Sequence, residues 1–406
     1  MGSLKKTTRW IIGLFTSTPP ATPKVPDLKN PTPLQGYLDK YVTQFIGHLV
    51  PPTRPSLPSD VDPNAYKRVA FSVQPLLHNS ISPYYGGKFD DDTDFSASLI
   101  KVAALFAAGQ LLAKAKVSGA TFGADVQAEV NSKADTRITH TTFPTTSAVQ
   151  LMPQMADILN PSGGGPAAQF TTTFSDNLDL MIVQSDDPAA AFCIDKLGYG
   201  YISAELNQKN FFKSTEKTGP DASTNTGRGI WLAGDYEGGL KVRIPCINDH
   251  PDAQLTTTRQ MCRMFAMIRL KQLPENDVAT NTIMQGLLGR APTWLRTGQH
   301  IAGVKDVGVP PQFSKVHAKV GVAGLGTAET PLVYSEGLII KWGDQSQVDK
   351  FNNTIDPTNE HPNDRLPGEF AVCWQNLLAR ILPSGFDGIV EVLNNTIADF
   401  LEQKTI

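Results

Sequence analysis

A hydrophobic stretch extends from Leu99 to Ala108, and Lys101 is its only polar residue. A segment that is apolar on every side is expected to run through the interior of a large domain. Ser96, just before it, is expected to cap a helix, because its side chain can accept hydrogen bonds from free backbone N–H groups. The pattern therefore predicts a buried helix, ending near Lys114, that holds one lysine in the core.

Other stretches space their apolar residues along one helical face, which predicts further helices. They are Leu34–Ile46, Leu178 to about Lys196, Thr256–Leu270 and Phe386–Phe400. Residues 117–176 and 207–228 are polar and rich in turn-forming residues, so loops are expected there.

The last third of the chain changes to the two-residue alternation of strands. Val316–Gly324 and Leu332–Trp342 are separated by a glycine-rich turn, which predicts a β-hairpin. Phe370–Trp374 is expected to add a third strand. Near the other end of the chain, Arg68–Pro75 is predicted as a strand that stops at its proline.

The chain has 406 residues, enough for one large two-lobed domain or for two domains. Its formal net charge is −3 and only 18% of its residues are charged, which argues against a nucleic-acid partner. The four cysteines lack the spacing of a zinc site, and neither a metal nor a cofactor is expected. Cys193, Cys262 and Cys373 lie in apolar patterns and are expected to be buried free thiols.

No stretch approaches the roughly 18 consecutive apolar residues that predict a transmembrane helix. Near the N-terminus a short basic segment precedes only six residues of an apolar run, Trp10–Phe15, fewer than a signal peptide usually contains. The compartment therefore stays open, with export as one alternative. Residues 17–34 and 51–63 are rich in proline and are expected to form extended arms.

Ser98 lies three residues before Lys101, so the two side chains are expected on one face of the helix. Burial lowers the pKa of a lysine, and a neutral amine can accept a proton from a nearby hydroxyl. Free N–H groups in the first turn can also stabilise an oxyanion. Ser98 and Lys101 are thus candidates for a nucleophile and its base. Alternatively, Lys101 extends its charged end to solvent.

Two further segments form a set with Ser98 and Lys101. One contains Ser185-Asp186-Asp187, and the predicted hairpin carries Lys319-Val320-Gly321. In this order the segments resemble the three signatures of the serine β-lactamase and penicillin-binding protein superfamily, Ser-x-x-Lys, Ser-x-Asn and Lys-Thr/Ser-Gly. The resemblance covers roughly residues 65–405.

The chain also contains literal copies of the last two signatures, Ser175-Asp176-Asn177 and Lys217-Thr218-Gly219. The second lies in a polar run that a proline ends, which is unlike a central strand. Ser175 precedes the predicted helix instead of lying within it. The surroundings therefore favour Ser185 and Lys319 over these two alternatives.

The resemblance implies a mixed α/β (α+β) fold like that of β-lactamases and transpeptidases, in which helices flank an antiparallel sheet and an all-helical lobe adjoins it. Residues 1–63 are expected to form a proline-rich arm with one helix. Residues 64–406 are expected to form a serine hydrolase domain, with residues 115–300 as the helical lobe inserted between segments of the sheet.

The resemblance also implies roles for the site residues. Ser98 is expected to attack a carbonyl and form an acyl-enzyme, with Lys101 as the proton acceptor. Ser185 is expected to pass a proton to the leaving group, and Lys319 to keep the local field positive. The backbone N–H groups of Ser98 and Val322 are expected to form the oxyanion hole.

Asp187, Val320, Gly321 and Val322 are expected to line the substrate site. Val320 lacks the hydroxyl that binds a substrate carboxylate in the family, and Asp187 places a negative charge where the family has asparagine. Both differences disfavour an anionic substrate. The resemblance implies Glu237 as a candidate deacylation base, because Glu237-Gly238-Gly239-Leu240 is similar to the family's Glu-x-x-Leu-Asn loop although Lys241 replaces the asparagine. A surface glutamate in a glycine turn is the alternative.

The sequence therefore predicts a serine hydrolase that acts on a small-molecule or peptide-like amide or ester, with weak or no β-lactamase activity. The alternative is a catalytically degraded relative that keeps the fold and serves a binding or structural role. The substrate and the oligomeric state stay open.

Overall fold

The structure, a computed structural model, describes residues 33–49, 65–77, 80–82, 84–139, 151–214, 227–233, 242, 244, 246–248, 254–274, 277–294, 313–324, 332–342, 369–378 and 384–404. Its helices are α1 (Pro33–Gly47), α2 (Lys101–Ser118), α3 (Phe122–Lys133), α4 (Thr136–Thr139), α5 (Met155–Ile158), α6 (Thr172–Asp179), α7 (Asp187–Leu197), α8 (Tyr199–Gln208), α9 (Thr258–Arg269), α10 (Val278–Arg290) and α11 (Ser384–Lys404). Short 3₁₀ turns span Ala65–Lys67, Ala97–Ile100 and Gly119–Thr121, and a π-helical segment spans Leu180–Gln184.

The strands are β1 (Ala70–Leu77), β2 (Ser80–Ile81), β3 (Gly86–Lys88), β4 (Leu159–Asn160), β5 (Gln169–Phe170), β6 (Phe212–Ser214), β7 (Gly227–Gly229), β8 (Trp231–Leu232), β9 (Gln254–Leu255), β10 (Phe313–Gly324), β11 (Leu332–Trp342) and β12 (Glu369–Leu378). The long strands form an antiparallel sheet in the order β10-β11-β12-β1-β2, and β3 also pairs with β1. Within the described chain β10 lies at the edge of this sheet.

Helices cover both faces of the sheet. On one face α1 and α11 pack together over a core that includes Phe71, Trp374 and Ile389. On the other face lies α9, where a Cβ atom at Gly337 of β11 would stand 2.3 Å from the ring of Phe265. The absence of a side chain at Gly337 thus lets α9 approach the sheet closely.

Helix α2 runs through the centre of the helical part of the protein. All of its residues from Lys101 to Ala113 are buried, and α7, α8 and α10 pack around it. Gly119 follows it with a φ of 53°, a conformation that glycine adopts at low cost. The stretch Ala97–Ser118 is long and apolar enough to cross a membrane, but most of it is buried within the protein.

The structure confirms the predicted fold class, because an antiparallel sheet has helices on both faces and a helical region adjoins it. The predicted hairpin, third strand, first helix and last helix are also confirmed as β10–β11, β12, α1 and α11. In α9 the predicted inward residues are all buried: Met261, Met264, Phe265 and Ile268.

The single helix predicted from Leu178 to Lys196 is wrong. The chain instead forms the end of α6, a π-helical segment and then α7, with a break at Ser185. Ser185 adopts a left-handed conformation, with φ 60° and ψ 30°, that interrupts the helical backbone. The apolar spacing on either side of the break is helical, which explains why the pattern looked continuous.

The loop predicted over residues 117–176 is wrong in part, because it contains α3 and α6. In α3 only Phe122, Val126 and Val130 are buried, so the apolar stripe is one residue wide and its periodic signal is weak.

Pro75 does not end β1. It lies between Phe71–Val73, which pair with β3, and Leu76–Leu77, which pair with β2. On that side of β1 its missing N–H therefore removes no hydrogen bond between strands.

The cysteine prediction is confirmed, since Cys193, Cys262 and Cys373 are buried free thiols. The division of the chain at residue 63 stays a prediction. Most of the two proline-rich arms lies outside the described residues.

Candidate active site

Ser98 lies in the 3₁₀ turn that leads into α2, and it is partly exposed while its neighbours Ala97 and Leu99 are buried. Ala97 adopts a positive φ of 51°. The expected cap by Ser96 is wrong, since its side chain makes no capping hydrogen bond and its buried hydroxyl has no partner among the described residues. The carbonyl oxygen of Ser96 accepts the backbone N–H of Leu99 at 3.2 Å.

Lys101 is fully buried, as its apolar surroundings predict. Its Nζ donates to the carbonyl oxygen of Ser185 at 2.7 Å and to Oδ1 of Asp187 at 2.5 Å, and it lies 3.4 Å from the carbonyl oxygen of Asp186. Burial lowers the pKa of Lys101, and the Asp187 carboxylate opposes that shift. These three contacts direct the amine toward the turn at Ser185.

Ser185 connects the π-helical segment to α7. Asp186 caps α7 by accepting the backbone N–H of Ala189 at 2.7 Å, which fixes the chain direction immediately after Ser185. The left-handed backbone at Ser185 allows its carbonyl oxygen to meet Lys101 while its hydroxyl meets Lys319.

Lys319 enters the site from the edge strand β10. Its Nζ lies 2.7 Å from Oγ of Ser185 and 2.9 Å from the carbonyl oxygen of Val320, and the side chain is fully buried. Burial and the nearby charge of Lys101 hold the pKa of Lys319 well below its usual value, although Asp187 and Glu336 act in the opposite sense.

Gly321 brings β10 against the turn that carries Ser98. A Cβ atom at Gly321 would lie 2.3 Å from the carbonyl oxygen of Ser96 and 2.8 Å from the backbone nitrogen of Leu99. Any side chain at position 321 would therefore push the strand away from the turn. The next residue, Val322, is 40% exposed, so the chain opens to solvent beside this contact.

Ser335 is a residue that sequence reasoning missed. It is buried on β11 opposite Gly321, and its hydroxyl donates to the carbonyl oxygen of Ser96 at 2.5 Å. The register of the predicted hairpin is the signal that leads to it, because the residue paired with Gly321 must lie beside the same turn.

The structure thus connects five of the predicted site residues. Lys101 contacts Asp187 and Ser185, and Ser185 contacts Lys319. Gly321, on the same strand as Lys319, lies against the turn that carries Ser98. Val320 is buried beside Lys319 on the same strand. The literal alternative Ser175 is exposed in the middle of α6. Glu237 and the alternative Lys217 lie outside the described residues.

Two of the non-glycine residues with positive φ, Ala97 and Ser185, lie in this site. Such conformations cost on the order of 1–3 kcal/mol each and cluster at functional sites, where the surrounding structure holds them in place. Here Ala97 precedes the candidate nucleophile, and Ser185 contacts both lysines.

No protein-family model and no curated protein matches the sequence. Among solved structures, a β-lactamase from Xanthomonas campestris is similar at 11% identity, with a TM-score of 0.44 over 90% of this chain and 98% of that one. A β-lactamase from Chitinophaga pinensis has 10% identity and a TM-score of 0.43 over 88% and 97% of the two chains. The structure of PBP-A has 12% identity and a TM-score of 0.42 over 90% and 96%. A likeness of this degree assigns neither a family nor an activity.

Proposed function

We propose that this protein is a serine hydrolase of the β-lactamase and penicillin-binding superfamily, which transfers an acyl group through Ser98. One observation carries the proposal. Ser185 contacts Lys101 through its carbonyl oxygen and Lys319 through its hydroxyl, next to the turn that presents Ser98. A nucleophilic hydroxyl needs a nearby base with a lowered pKa, and two buried amines of that kind meet at this point.

In the proposed reaction the Ser98 oxygen attacks the carbonyl carbon of an amide or ester, and one of the two amines takes up the proton. The partly exposed position of Ser98 gives a substrate access to it. Backbone N–H groups of Ser98 and Val322 stabilise the developing oxyanion, since Gly321 holds the two segments in contact. Ser185 returns a proton to the leaving group, and water then releases the acyl group.

The substrate is proposed to carry no essential carboxylate. Val320 has no hydroxyl to donate to one, which removes about 0.5–1.5 kcal/mol of net hydrogen-bond energy. The carboxylate of Asp187, whose side chain is 71% exposed, repels an anion in addition. We therefore expect weak or no turnover of β-lactams.

Covalent labelling tests the proposal. The full-length protein is incubated with a fluorophosphonate and with a fluorescent penicillin, and intact mass and peptide mapping locate any adduct. We expect an adduct on Ser98 from at least one reagent, and none in Ser98→Ala. Ser214→Ala is the matched control, because Ser214 belongs to another Ser-x-x-Lys sequence and lies exposed on β6. An adduct on any other serine, unchanged in Ser98→Ala, refutes the assignment.

A catalytically degraded protein with a binding role is the second candidate, and the contact between Lys101 and Asp187 favours it. A carboxylate 2.5 Å from this amine stabilises the ammonium form, which cannot accept a proton. Failure of both reagents to label Ser98 between pH 6 and pH 10, in a protein that is folded by circular dichroism, supports this candidate over the hydrolase.

A further inference from the structure

Two buried amines share one serine in this site. Lys101 lies 2.7 Å from the carbonyl oxygen of Ser185, and Lys319 lies 2.7 Å from its hydroxyl oxygen. Two like charges held close together in a desolvated site cannot both persist, because each disfavours the charged form of the other. One amine must therefore lose its proton well before the other, and the surroundings decide which one.

The surroundings of Lys101 suit an ammonium ion. Its Nζ has three oxygen neighbours, namely Oδ1 of Asp187 at 2.5 Å and the carbonyl oxygens of Ser185 at 2.7 Å and Asp186 at 3.4 Å. An ammonium group has three N–H donors and no acceptor, so three acceptor oxygens satisfy it. One of these oxygens is charged, because position 187 is aspartate where the family signature has asparagine.

The surroundings of Lys319 suit a neutral amine. Among the described residues, its Nζ forms hydrogen bonds with Oγ of Ser185 and with the carbonyl oxygen of Val320, and both oxygen atoms are uncharged. A neutral amine has two N–H donors and one lone pair. It can donate one N–H to the carbonyl oxygen of Val320 and accept the hydroxyl hydrogen of Ser185 on its lone pair.

On balance, the charged groups around Lys319 also favour its neutral form. Lys101 on α2 repels a second positive charge, while Asp187 on α7 attracts it, as does Glu336 on β11 once its carboxyl group ionises. Asp187, however, contacts Lys101 directly, and no carboxylate touches Nζ of Lys319 among the described residues. Burial and repulsion therefore dominate at Lys319, whose pKa falls well below the usual value for lysine.

We propose that Lys319, acting through the Ser185 hydroxyl, is the base that deprotonates Ser98, and that Asp187 fixes Lys101 as a permanent ammonium ion. This inference rests on the proposed hydrolase function and exchanges the roles expected for the two lysines. It makes Asp187 a positioning residue, since it acts through Lys101 and not on the substrate.

The proton balance of the step is simple. As the Ser98 oxygen bonds to the carbonyl carbon, its proton passes to Oγ of Ser185, and the Ser185 proton passes to Nζ of Lys319. The carbonyl electron pair moves onto the oxygen. When the bond to the leaving group breaks, Ser185 protonates that group and recovers its own proton from Lys319. Lys319 is uncharged before the reaction and Lys101 is paired with Asp187, so neither lysine is available to bind a substrate carboxylate. The inferred substrates are therefore uncharged near the reacting bond.

Lysine titration by NMR tests the assignment of charge without requiring activity. The full-length protein carries ¹³C and ¹⁵N in its lysines, and Lys101→Met and Lys319→Met identify the two Cε signals by their loss. We expect Lys319 to titrate at least one pH unit below Lys101. In Asp187→Asn we expect this gap to close by about one pH unit or more, because Lys101 loses its carboxylate partner and repels Lys319 less.

Asp186→Asn is the matched control. It removes the same charge one residue away, and asparagine can still cap α7 as Asp186 does. The carbonyl contact of residue 186 with Lys101 is kept, so the gap is expected to change by less than half as much as in Asp187→Asn. The assignment is overturned if Lys101 titrates first in the wild-type protein, or if both variants change the gap equally.

The pH profile of Ser98 labelling supplies the second readout. The labelling rate is expected to rise with the midpoint of Lys319 in the wild-type protein, and a rise that follows the Lys101 midpoint overturns the base assignment. Complete absence of labelling overturns the hydrolase function and its proton step together. The titration order then still decides whether Asp187 sets the charge of Lys101, so the two failures are distinguishable.

Discussion

The buried carboxyl group of Glu336 offers a quantitative test of the structure around the site. Glu336 lies on β11, where Oε1 accepts the backbone N–H of Trp294 at 3.0 Å. The side chain is fully buried, and burial raises its pKa to about 8 despite that hydrogen bond and the charge of Lys315. Glu336 is therefore protonated in the folded protein at neutral pH and ionised in the unfolded chain.

The sign of the pH dependence follows from that difference. Above the usual glutamate pKa the unfolded chain binds fewer protons at this group than the folded protein, so stability falls as the pH rises until the folded group also ionises near pH 8. Since one pH unit corresponds to about 1.4 kcal/mol, Glu336 is expected to cost about 2.5 kcal/mol of unfolding free energy between pH 5 and pH 7.

Glu336→Gln removes this titration but keeps an oxygen that accepts the N–H of Trp294. We expect the variant to gain about 2–3 kcal/mol relative to wild type on going from pH 5 to pH 7, measured by urea denaturation at both pH values. Glu391→Gln, an exposed glutamate on α11, is the control and should show no such gain. A Glu336→Gln difference that stays constant over this pH range refutes the reasoning.

Two further substitutions test contacts described above. Gly321→Ala is expected to destabilise the protein by about 1–3 kcal/mol and to abolish labelling of Ser98, because the added methyl group meets the carbonyl oxygen of Ser96; denaturation and mass spectrometry measure the two effects. Lys114→Met is expected to cost about 3–5 kcal/mol at pH 7 by leaving the buried Glu205 and the half-buried Glu129 without their ammonium partner, and the deficit should shrink on acidification because burial raises the pKa of Glu205, which then gains a proton; urea denaturation at pH 7 and pH 4.5 measures it.

The central helix and the hairpin were predictable from the sequence because each has one dominant pattern. Nine apolar residues interrupted only by Lys101 specify a buried α2, and two-residue alternation on both sides of a glycine-rich turn specifies β10 and β11. The burial of Lys101 follows from the first pattern, whereas the second places Lys319 on the polar face of β10 and does not predict that its side chain is fully buried. Helix α3 was missed because its buried side is a stripe one residue wide.

The connections between the site residues were predictable only in part. The order of the segments indicates that Lys101, Ser185 and Lys319 meet. It does not indicate that Ser185 interrupts a helix with a left-handed backbone, since serine is not a residue that favours that conformation. Nor does the identity of Asp187 show that its carboxylate bends back to a buried amine, because this contact joins residues 86 positions apart.

Asp187 stands where the Ser-x-Asn signature has an asparagine. Its carboxylate does more than remove a neutral amide from the site, because it also places a negative charge beside a buried lysine. With a neutral amide there, Lys101 would lose the carboxylate that opposes the effect of burial on its pKa, and burial would lower the pKa of both lysines. The Asp187 carboxylate pairs with Lys101 at 2.5 Å, and in the part of the chain that the structure describes Lys319 has no carboxylate in contact with its Nζ. In the proposed mechanism the aspartate at position 187 thus decides which of the two buried lysines keeps its proton.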